Sequence, residues 1–104
     1  SNQNLPSLVS EDTDMMIASV TRQMRLQMYA AEVKYNHGAS WKELKGQKTK
    51  LAELILQRLY DGQILDAMNY LMIAHFHKHS LGHHFKRATI ERIIHGTFPG
   101  WYQK

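Results

Sequence analysis

Two helix-forming segments joined by a tight turn dominate this sequence between Lys50 and His79. The first reads LAELILQRLY, an Asp61-Gly62 pair follows, and the second reads QILDAMNYLMIAHFHKH. Asp-Gly is typical of tight turns, and the flanking apolar residues recur at helical spacing. Strand-like alternation is hard to find in the remainder of the 104 residues. The sequence therefore predicts an all-α fold, a bundle of four main helices.

One helical domain is expected over residues 12–104, after a mobile N-terminal arm over residues 1–11. The arm contains Pro6 and has no hydrophobic periodicity. Capping residues and apolar spacing set the predicted helix boundaries. The four helices are predicted over 12–35, 47–60, 63–80 and 84–95, and a short helix is predicted from Ser40, which has capping-box spacing with Glu43.

Apolar residues occupy two faces of the first predicted helix and two faces of the third. On the first helix, one stripe contains Ile17, Val20, Met24 and Met28, and the opposite stripe contains Met15, Leu26, Tyr29 and Val33. A bundle of this size has little interior for a helix that is buried all round. A homo-oligomer would cover the second face of each helix, so self-association is expected.

Composition narrows the class of protein further. Cysteine is absent, which excludes a disulfide framework and a thiolate nucleophile and fits a reducing cytoplasm. No apolar run approaches the length of a membrane span, and the N-terminal residues do not have the pattern of a signal peptide. A cytoplasmic protein without membrane attachment is therefore expected.

Asp66 and Asn69 stand one helical turn apart in the most apolar of the predicted helices. Burying a carboxylate or an amide is costly unless another group binds it. Their side of the helix also carries Tyr70, Ile73 and His77, a mixture typical of a lined binding cleft. A plain structural hydrogen-bond network is the alternative interpretation of the pair.

The same pair could hold a divalent cation, because Mg²⁺ prefers carboxylate and amide oxygens. Glu53 and Gln57 on the preceding helix are the natural further contributors across the Asp-Gly turn. Glu32 on the first helix is another acid, although nothing in the sequence fixes its position.

The order of these residues resembles the MazG-type all-α nucleotide pyrophosphohydrolases, above all their small phage-type members. Trp41 follows a long first helix, the second helix carries Glu53, and the third reads DAMNYLMIA from Asp66. The resemblance covers about residues 20–79. It implies an oligomeric helical protein that binds nucleotides with Mg²⁺ and hydrolyses (d)NTPs to monophosphate and pyrophosphate.

The acids that the resemblance would require are only partly present. Glu53 stands alone where a pair of glutamates is expected, and Gln63 replaces the acid three residues before Asp66. Few carboxylates remain to offset a cation and a triphosphate, which counts against turnover. The implied site has Glu53 and Asp66 on Mg²⁺ and, for the nucleotide, Gln57, Gln63, Asn69, Tyr70, Lys86 and Arg87.

The C-terminal third is basic and rich in histidine. From His75 to the end, five lysine or arginine residues face one glutamate, and six of the seven histidines lie there. Such groups around Phe85 would give salt-dependent affinity for DNA or RNA, so a non-enzymatic nucleic-acid-binding or regulatory protein is the alternative function. A helical protein-interaction module is the third. The structural alternative is that Phe85 docks this segment on the bundle while its charges face water.

His75 and His79 have the i, i+4 spacing of a transition-metal pair. They fall on the same side as Met68 and Met72, which favours packing over metal binding. No His-Glu-x-x-His arrangement accompanies them.

Overall fold

The computed structural model describes residues 8–85, which form helices joined by short connections. Its elements are α1 (Glu11–Tyr29), a π-helical turn (Ala30–Lys34), a 3₁₀ segment (Ser40–Gly46), α2 (Lys48–Tyr60), α3 (Ile64–Phe76) and a terminal 3₁₀ turn (Gly82–Phe85). No strand occurs between residues 8 and 85, and the predicted all-α fold is confirmed. Most of the helix predicted over 84–95 and of the N-terminal arm lies outside the described residues. Within that same range, none of the helices is both long and apolar enough to cross a membrane.

α1 begins where the sequence supplies a capping hydroxyl. The Oγ of Ser10 accepts a hydrogen bond from the backbone N–H of Thr13, with 3.3 Å between the two atoms. The acids of the first turn then interact favourably with the helix dipole. The start was predicted at Asp12 or Thr13, and the cap at Ser10 moves it slightly earlier, to Glu11.

The π-helical turn carries the chain from the end of α1 to the predicted stop near Tyr35. Asn36 and Gly38 follow, each with a φ of 57°. This left-handed conformation is one that Gly adopts freely and Asn tolerates better than most residues, so the chain turns out of the helix here. The predicted end of the first helix is confirmed, although its last turn is π-helical.

The core lies between α2, α3 and the residues that follow α3. It consists of Leu51, Ala52, Ile55, Ile73, Ala74 and Leu81. Trp41, Tyr70 and Phe85 pack against it as half-buried side chains, as the structural alternative for the C-terminal segment requires of Phe85. Leu59, near the end of α2, is exposed and does not join Leu51 and Ile55 in the core.

α3 ends at Phe76, four residues before the predicted end at 80. Lys78 adopts a φ of 58°, so the chain leaves the helix before Gly82 is reached. Two tertiary hydrogen bonds accompany this early end. The Nε2 of His77 donates to the carbonyl of Trp41 at 3.1 Å, and the Nε2 of His79 donates to the carbonyl of Leu44 at 3.2 Å, because a carbonyl oxygen can only accept.

The short helix predicted from Ser40 is present, but its predicted capping box is absent. The segment is a 3₁₀ helix whose N-cap position is Ala39, and no side chain caps it. Ser40 is therefore the first residue of the helix rather than its cap. The two imidazole–carbonyl bonds to Trp41 and Leu44 hold the segment against the end of α3 instead.

Candidate functional site

A cleft of about 390 Å³ opens between the end of α1, the 3₁₀ segment, α2 and α3. Its polar lining comes from five elements and includes Gln27, Glu32, Glu43, Lys50, Asp66 and Asn69. Its aromatic lining is Trp41 and Tyr70. With Gln47 and His37, which also line it, the cleft combines three carboxylates, three amides, one lysine, one imidazole and the rings of Trp41 and Tyr70.

Asn69 is the buried polar residue of the core region, with only 6% of its surface exposed. Its Nδ2 donates to the carbonyl of Met24 at 3.2 Å and to the Oε1 of Gln27 at 3.4 Å. Because the Met24 carbonyl can only accept, these contacts fix which end of the amide faces α1. The Oδ1 at the other end is buried and has no hydrogen-bond partner in the described part of the chain. Asn69 thus ties α3 to α1 and keeps one unsatisfied acceptor.

Asp66 lies one turn before Asn69 with 39% of its side chain exposed. Its Oδ2 is 3.8 Å from the Nε of Arg58, too far for a hydrogen bond but close enough for an ion pair. The Arg58 guanidinium also lies 6.0 Å from the centre of the Tyr70 ring. An ionised carboxylate offers about four acceptor sites, so this long ion pair leaves Asp66 the capacity to bind another cation or donor.

The cleft brings together three of the predicted site residues and omits three. Asp66, Asn69 and Tyr70 belong to its lining, whereas Glu53, Gln57 and Gln63 do not. Gln63 is the exposed residue before α3, and Glu53 and Gln57 are half-buried on α2. Lys86 and Arg87 lie outside the described residues.

Sequence reasoning missed Gln27, Glu43 and Lys50 as cleft residues. For two of them the sequence indicates only a shared helical face, since Gln27 lies four positions before Ala31 and Lys50 four before Leu54, and it is the structure that shows these faces lining the cleft. Glu43 had no such signal, because the 3₁₀ segment that carries it was predicted only as a short capped helix.

Three carboxylates line the cleft, on Glu32, Glu43 and Asp66. They do not converge, since among residues 8–85 no group of three or more His, Cys, Asp or Glu side chains is placed to hold a metal ion. A cation held entirely by protein carboxylates does not fit this arrangement. A cation that arrives with phosphate ligands needs only one or two carboxylates from the protein.

The structure supports a packing role for the histidines that follow α3 and gives no support for metal binding by them among residues 8–85. His77 and His79 bond to the 3₁₀ segment, and the His77 ring lies 5.7 Å from that of Trp41. His75 is exposed, so the packing predicted for it beside Met72, which is also exposed, is wrong.

His84 stands apart in its electrostatics. Burial, followed by the nearby positive charges of His83 and Lys48, lowers the pKa of His84 below its ordinary value. Its Nε2 is buried and has no hydrogen-bond partner among the described residues. This environment favours the neutral imidazole.

Comparison of the chain with models of known families, with curated proteins and with solved structures finds no match. The MazG-type resemblance therefore stays a prediction that depends on Trp41, Glu53 and the segment from Asp66.

Proposed function

We propose that this protein binds a nucleotide together with Mg²⁺ in the cleft. One observation carries the proposal: the Asp66 carboxylate and the buried Asn69 amide, which share one face of α3, line the same cavity as Trp41 and Lys50. The volume of about 390 Å³ falls within the range of small-molecule sites, roughly 300–1,000 Å³.

The base and the phosphates of a nucleotide each have a suitable group in the cleft. An aromatic ring such as Trp41 can stack on a base, and the Lys50 ammonium can neutralise a phosphate. The Oδ1 of Asn69 is an acceptor without a donor among the described residues. An N–H group of a ligand or an ordered water would satisfy it.

Mg²⁺ bound to a nucleotide takes most of its ligands from phosphate and water, so it would require few protein carboxylates. Asp66 is the proposed protein ligand. Glu32 is the better second acid than Glu53, because Glu32 lines the cleft and Glu53 does not. Of the two cation ligands assigned from the sequence, Glu53 and Asp66, we therefore retain only Asp66.

The proposal is nucleotide binding, and hydrolysis to monophosphate and pyrophosphate is expected to be slow or absent. Water attack on a bound nucleotide is helped by several acids that hold metal and orient water. The cleft offers Asp66 beside Arg58 and two acids on other elements that do not converge with it. We place this binding in the cytoplasm, because nucleotides are abundant there and the absence of cysteine fits a reducing compartment.

A thermal-shift panel of the four dNTPs and four NTPs, with and without Mg²⁺, tests the proposal. A ligand that binds only the folded state raises the melting temperature by mass action, so a Mg²⁺-dependent rise of several degrees is expected for at least one nucleotide. Asp66→Ala should abolish the rise. Asp14→Ala, which removes an exposed acid outside the cleft, should preserve it.

Other outcomes of the panel also decide between functions. No shift with any nucleotide would overturn nucleotide binding in the cleft. Salt-dependent binding of DNA or RNA that is lost in a Lys86→Ala/Arg87→Ala variant and retained in Asp66→Ala would then favour the nucleic-acid alternative. Where a shift is found, release of pyrophosphate from that nucleotide measures any turnover.

A further inference from the structure

One buried acceptor of the cleft residues has no donor within the described chain. Three buried side-chain atoms between residues 8 and 85 lack a hydrogen-bond partner, namely the Nε of Arg58, the Oδ1 of Asn69 and the Nε2 of His84. Of these three residues, Asn69 alone is more than nine-tenths buried, and it alone lines the cleft. A buried polar atom without a partner is rare in native proteins and indicates that a partner is missing.

The two N–H groups of the Asn69 amide are already used in bonds to α1. Its Nδ2 donates to the carbonyl of Met24 at 3.2 Å and to the Oε1 of Gln27 at 3.4 Å. An amide nitrogen carries two N–H groups, so these contacts leave it no further donor. Turning the amide over would place its oxygen against the Met24 carbonyl, and two groups that only accept would then face each other. Asn69 can therefore offer a ligand an acceptor and no donor.

The phosphates of a nucleotide cannot be the missing partner. Phosphate oxygens that bind Mg²⁺ or the Lys50 ammonium accept hydrogen bonds and do not donate them. The Asp66 carboxylate, one turn before Asn69, also repels a phosphate unless a cation lies between them. The donor must therefore come from the base or from a hydroxyl of the ribose.

The apolar side chains beside Asn69 favour the base over the ribose. Ile73 lies one turn after Asn69 on the same side of α3, and it lines the cleft. Met28, one turn after the carbonyl that Asn69 bonds, lines it too, as does Trp41. A flat base can contact these side chains with its apolar faces. A ribose would instead bury hydroxyl groups beside side chains that cannot satisfy them, which costs free energy.

Bases differ in what their edges can offer to a lone acceptor. Adenine, cytosine and guanine each carry an exocyclic amino group with two N–H donors. Uracil and thymine carry carbonyl oxygens, and their one free N–H is flanked by two of them. Turning that N–H towards Oδ1 would bring two further acceptors close to it, among apolar side chains that do not donate. Acceptors left unpaired in a buried site are what discriminates against a ligand.

We propose that the Oδ1 of Asn69 accepts a hydrogen bond from the exocyclic amino group of the bound base. The cleft would then select adenine, cytosine or guanine nucleotides over those of uracil and thymine. This inference rests on the proposed nucleotide site and names the chemical feature of the nucleotide that the site recognises. The two ends of one amide would have two roles, because Nδ2 holds α1 and Oδ1 selects the base.

Ligand pairs that differ at one amino group test this selection on the wild-type chain. Isothermal titration calorimetry with Mg²⁺ compares CTP with UTP, ATP with purine riboside 5′-triphosphate, and GTP with ITP. In at least one pair, the nucleotide with the amino group should bind about tenfold more tightly or better. Equal affinities, or the opposite preference, in every pair that binds would overturn the selection and leave nucleotide binding intact. No binding by any of these ligands would overturn both proposals.

Two variants test whether Asn69 is the group that recognises the base. Asn69→Ala removes Oδ1 together with the link to α1, whereas Gln27→Ala weakens the same link and keeps Oδ1. The preference within a ligand pair should disappear in Asn69→Ala and persist in Gln27→Ala, whatever happens to overall affinity. A preference that survives Asn69→Ala, or that both variants lose equally, would overturn the role of Oδ1. Circular dichroism checks that both variants fold, and the wild-type ligand pairs decide if Asn69→Ala does not.

The ribose has a ligand pair of its own. ATP and 2′,3′-dideoxy-ATP share the base and differ in the two ribose hydroxyl groups. The proposal predicts that the affinities of these two ligands differ less than those of the amino pairs. A tenfold preference that follows the hydroxyl groups, with equal affinities within the amino pairs, would assign the donor to the ribose and overturn selection of the base.

Discussion

The α2–α3 pair and α1 are stabilised in different ways. α2 and α3 supply five of the six side chains of the core, including Leu51 and Ile55, which are almost completely buried. α1 supplies none, although it is the longest of the three α-helices. Its most specific described link to α3 is the amide of Asn69, which bonds to Met24 and Gln27.

This difference explains why the cleft lies where it does. Two tightly packed helices form one wall, and a loosely held helix with the 3₁₀ segment forms the other. The cavity is lined by apolar side chains such as Met28, Leu54 and Ile73 as well as by polar ones, and these do not meet across the space between the two walls. We name the closely packed α2 and α3 the rigid pair, in contrast to the loosely attached α1.

The largest effect is expected in the core of the rigid pair. Leu51→Ala removes a side chain with 0% exposure and should lower the free energy of unfolding by about 2–5 kcal/mol, because it leaves a cavity. Ile17→Ala on α1, where the side chain is 46% exposed, should change it by roughly 0.5 kcal/mol or less. Urea denaturation of both variants gives the comparison, and equal losses would refute the division between the two regions.

Removing the amide link should loosen α1 selectively. Asn69→Ala deletes both hydrogen bonds to α1 and should lower the free energy of unfolding by about 1–2 kcal/mol. Hydrogen exchange should then accelerate in α1 and remain slow in α2. Gln27→Ala, which preserves the bond to the Met24 carbonyl, should have a smaller effect in the same direction. Uniform acceleration across all helices would argue against a local link.

At the turn that joins the rigid pair, the effect of replacing glycine on stability should depend only on backbone conformation. Gly62 has a φ of 74° and Gly46 has an ordinary φ, and a Cβ atom at either position would meet no atom within 4 Å. Gly62→Ala should therefore destabilise by about 1–2 kcal/mol because of its left-handed backbone. Gly46→Ala should be neutral or stabilising by up to about 1 kcal/mol. Similar melting temperatures for the two variants would refute this account of the Asp61-Gly62 turn.

The smallest effect concerns pH and His84. Its pKa is lowered in the folded state, so the folded chain takes up a proton less readily than the unfolded chain. The corresponding stability is present above the unfolded pKa of about 6.5 and is lost as the pH falls towards the folded pKa. An NMR titration should give a midpoint for His84 below 6.5, and His84→Gln should weaken the fall in melting temperature on acidification. A midpoint above 6.5 would contradict this environment.

Much of the fold was predictable because local signals and tertiary packing agree. Asp61-Gly62 and the apolar spacing around it set the α2–α3 pair, and Asp66, Asn69 and Tyr70, which the sequence places on one side of this helix, all line the cleft. At Asn69 the polar group in an apolar helix was itself a signal, because the side chain is buried there.

The errors arose where distant parts of the chain decide the conformation. α3 ends at Phe76 beside imidazole–carbonyl bonds to a segment more than thirty residues away, which no local pattern in the sequence reveals. Likewise, Glu53 was chosen because it precedes the turn, whereas the cleft lining draws Glu32 from the far end of the first helix. Which acid shares a cavity with Asp66 depends on how α1 crosses α3.

Side-chain NMR on the full chain would test nucleotide binding in the cleft most directly. The signals of the Trp41 indole N–H and of the Asn69 side-chain amide would be followed as an equimolar mixture of the four dNTPs and four NTPs with Mg²⁺ is added. The account predicts that both signals move in wild type and that neither moves in Asp66→Ala. Signals that stay fixed in wild type, or changes confined to residues after Phe85, would contradict it.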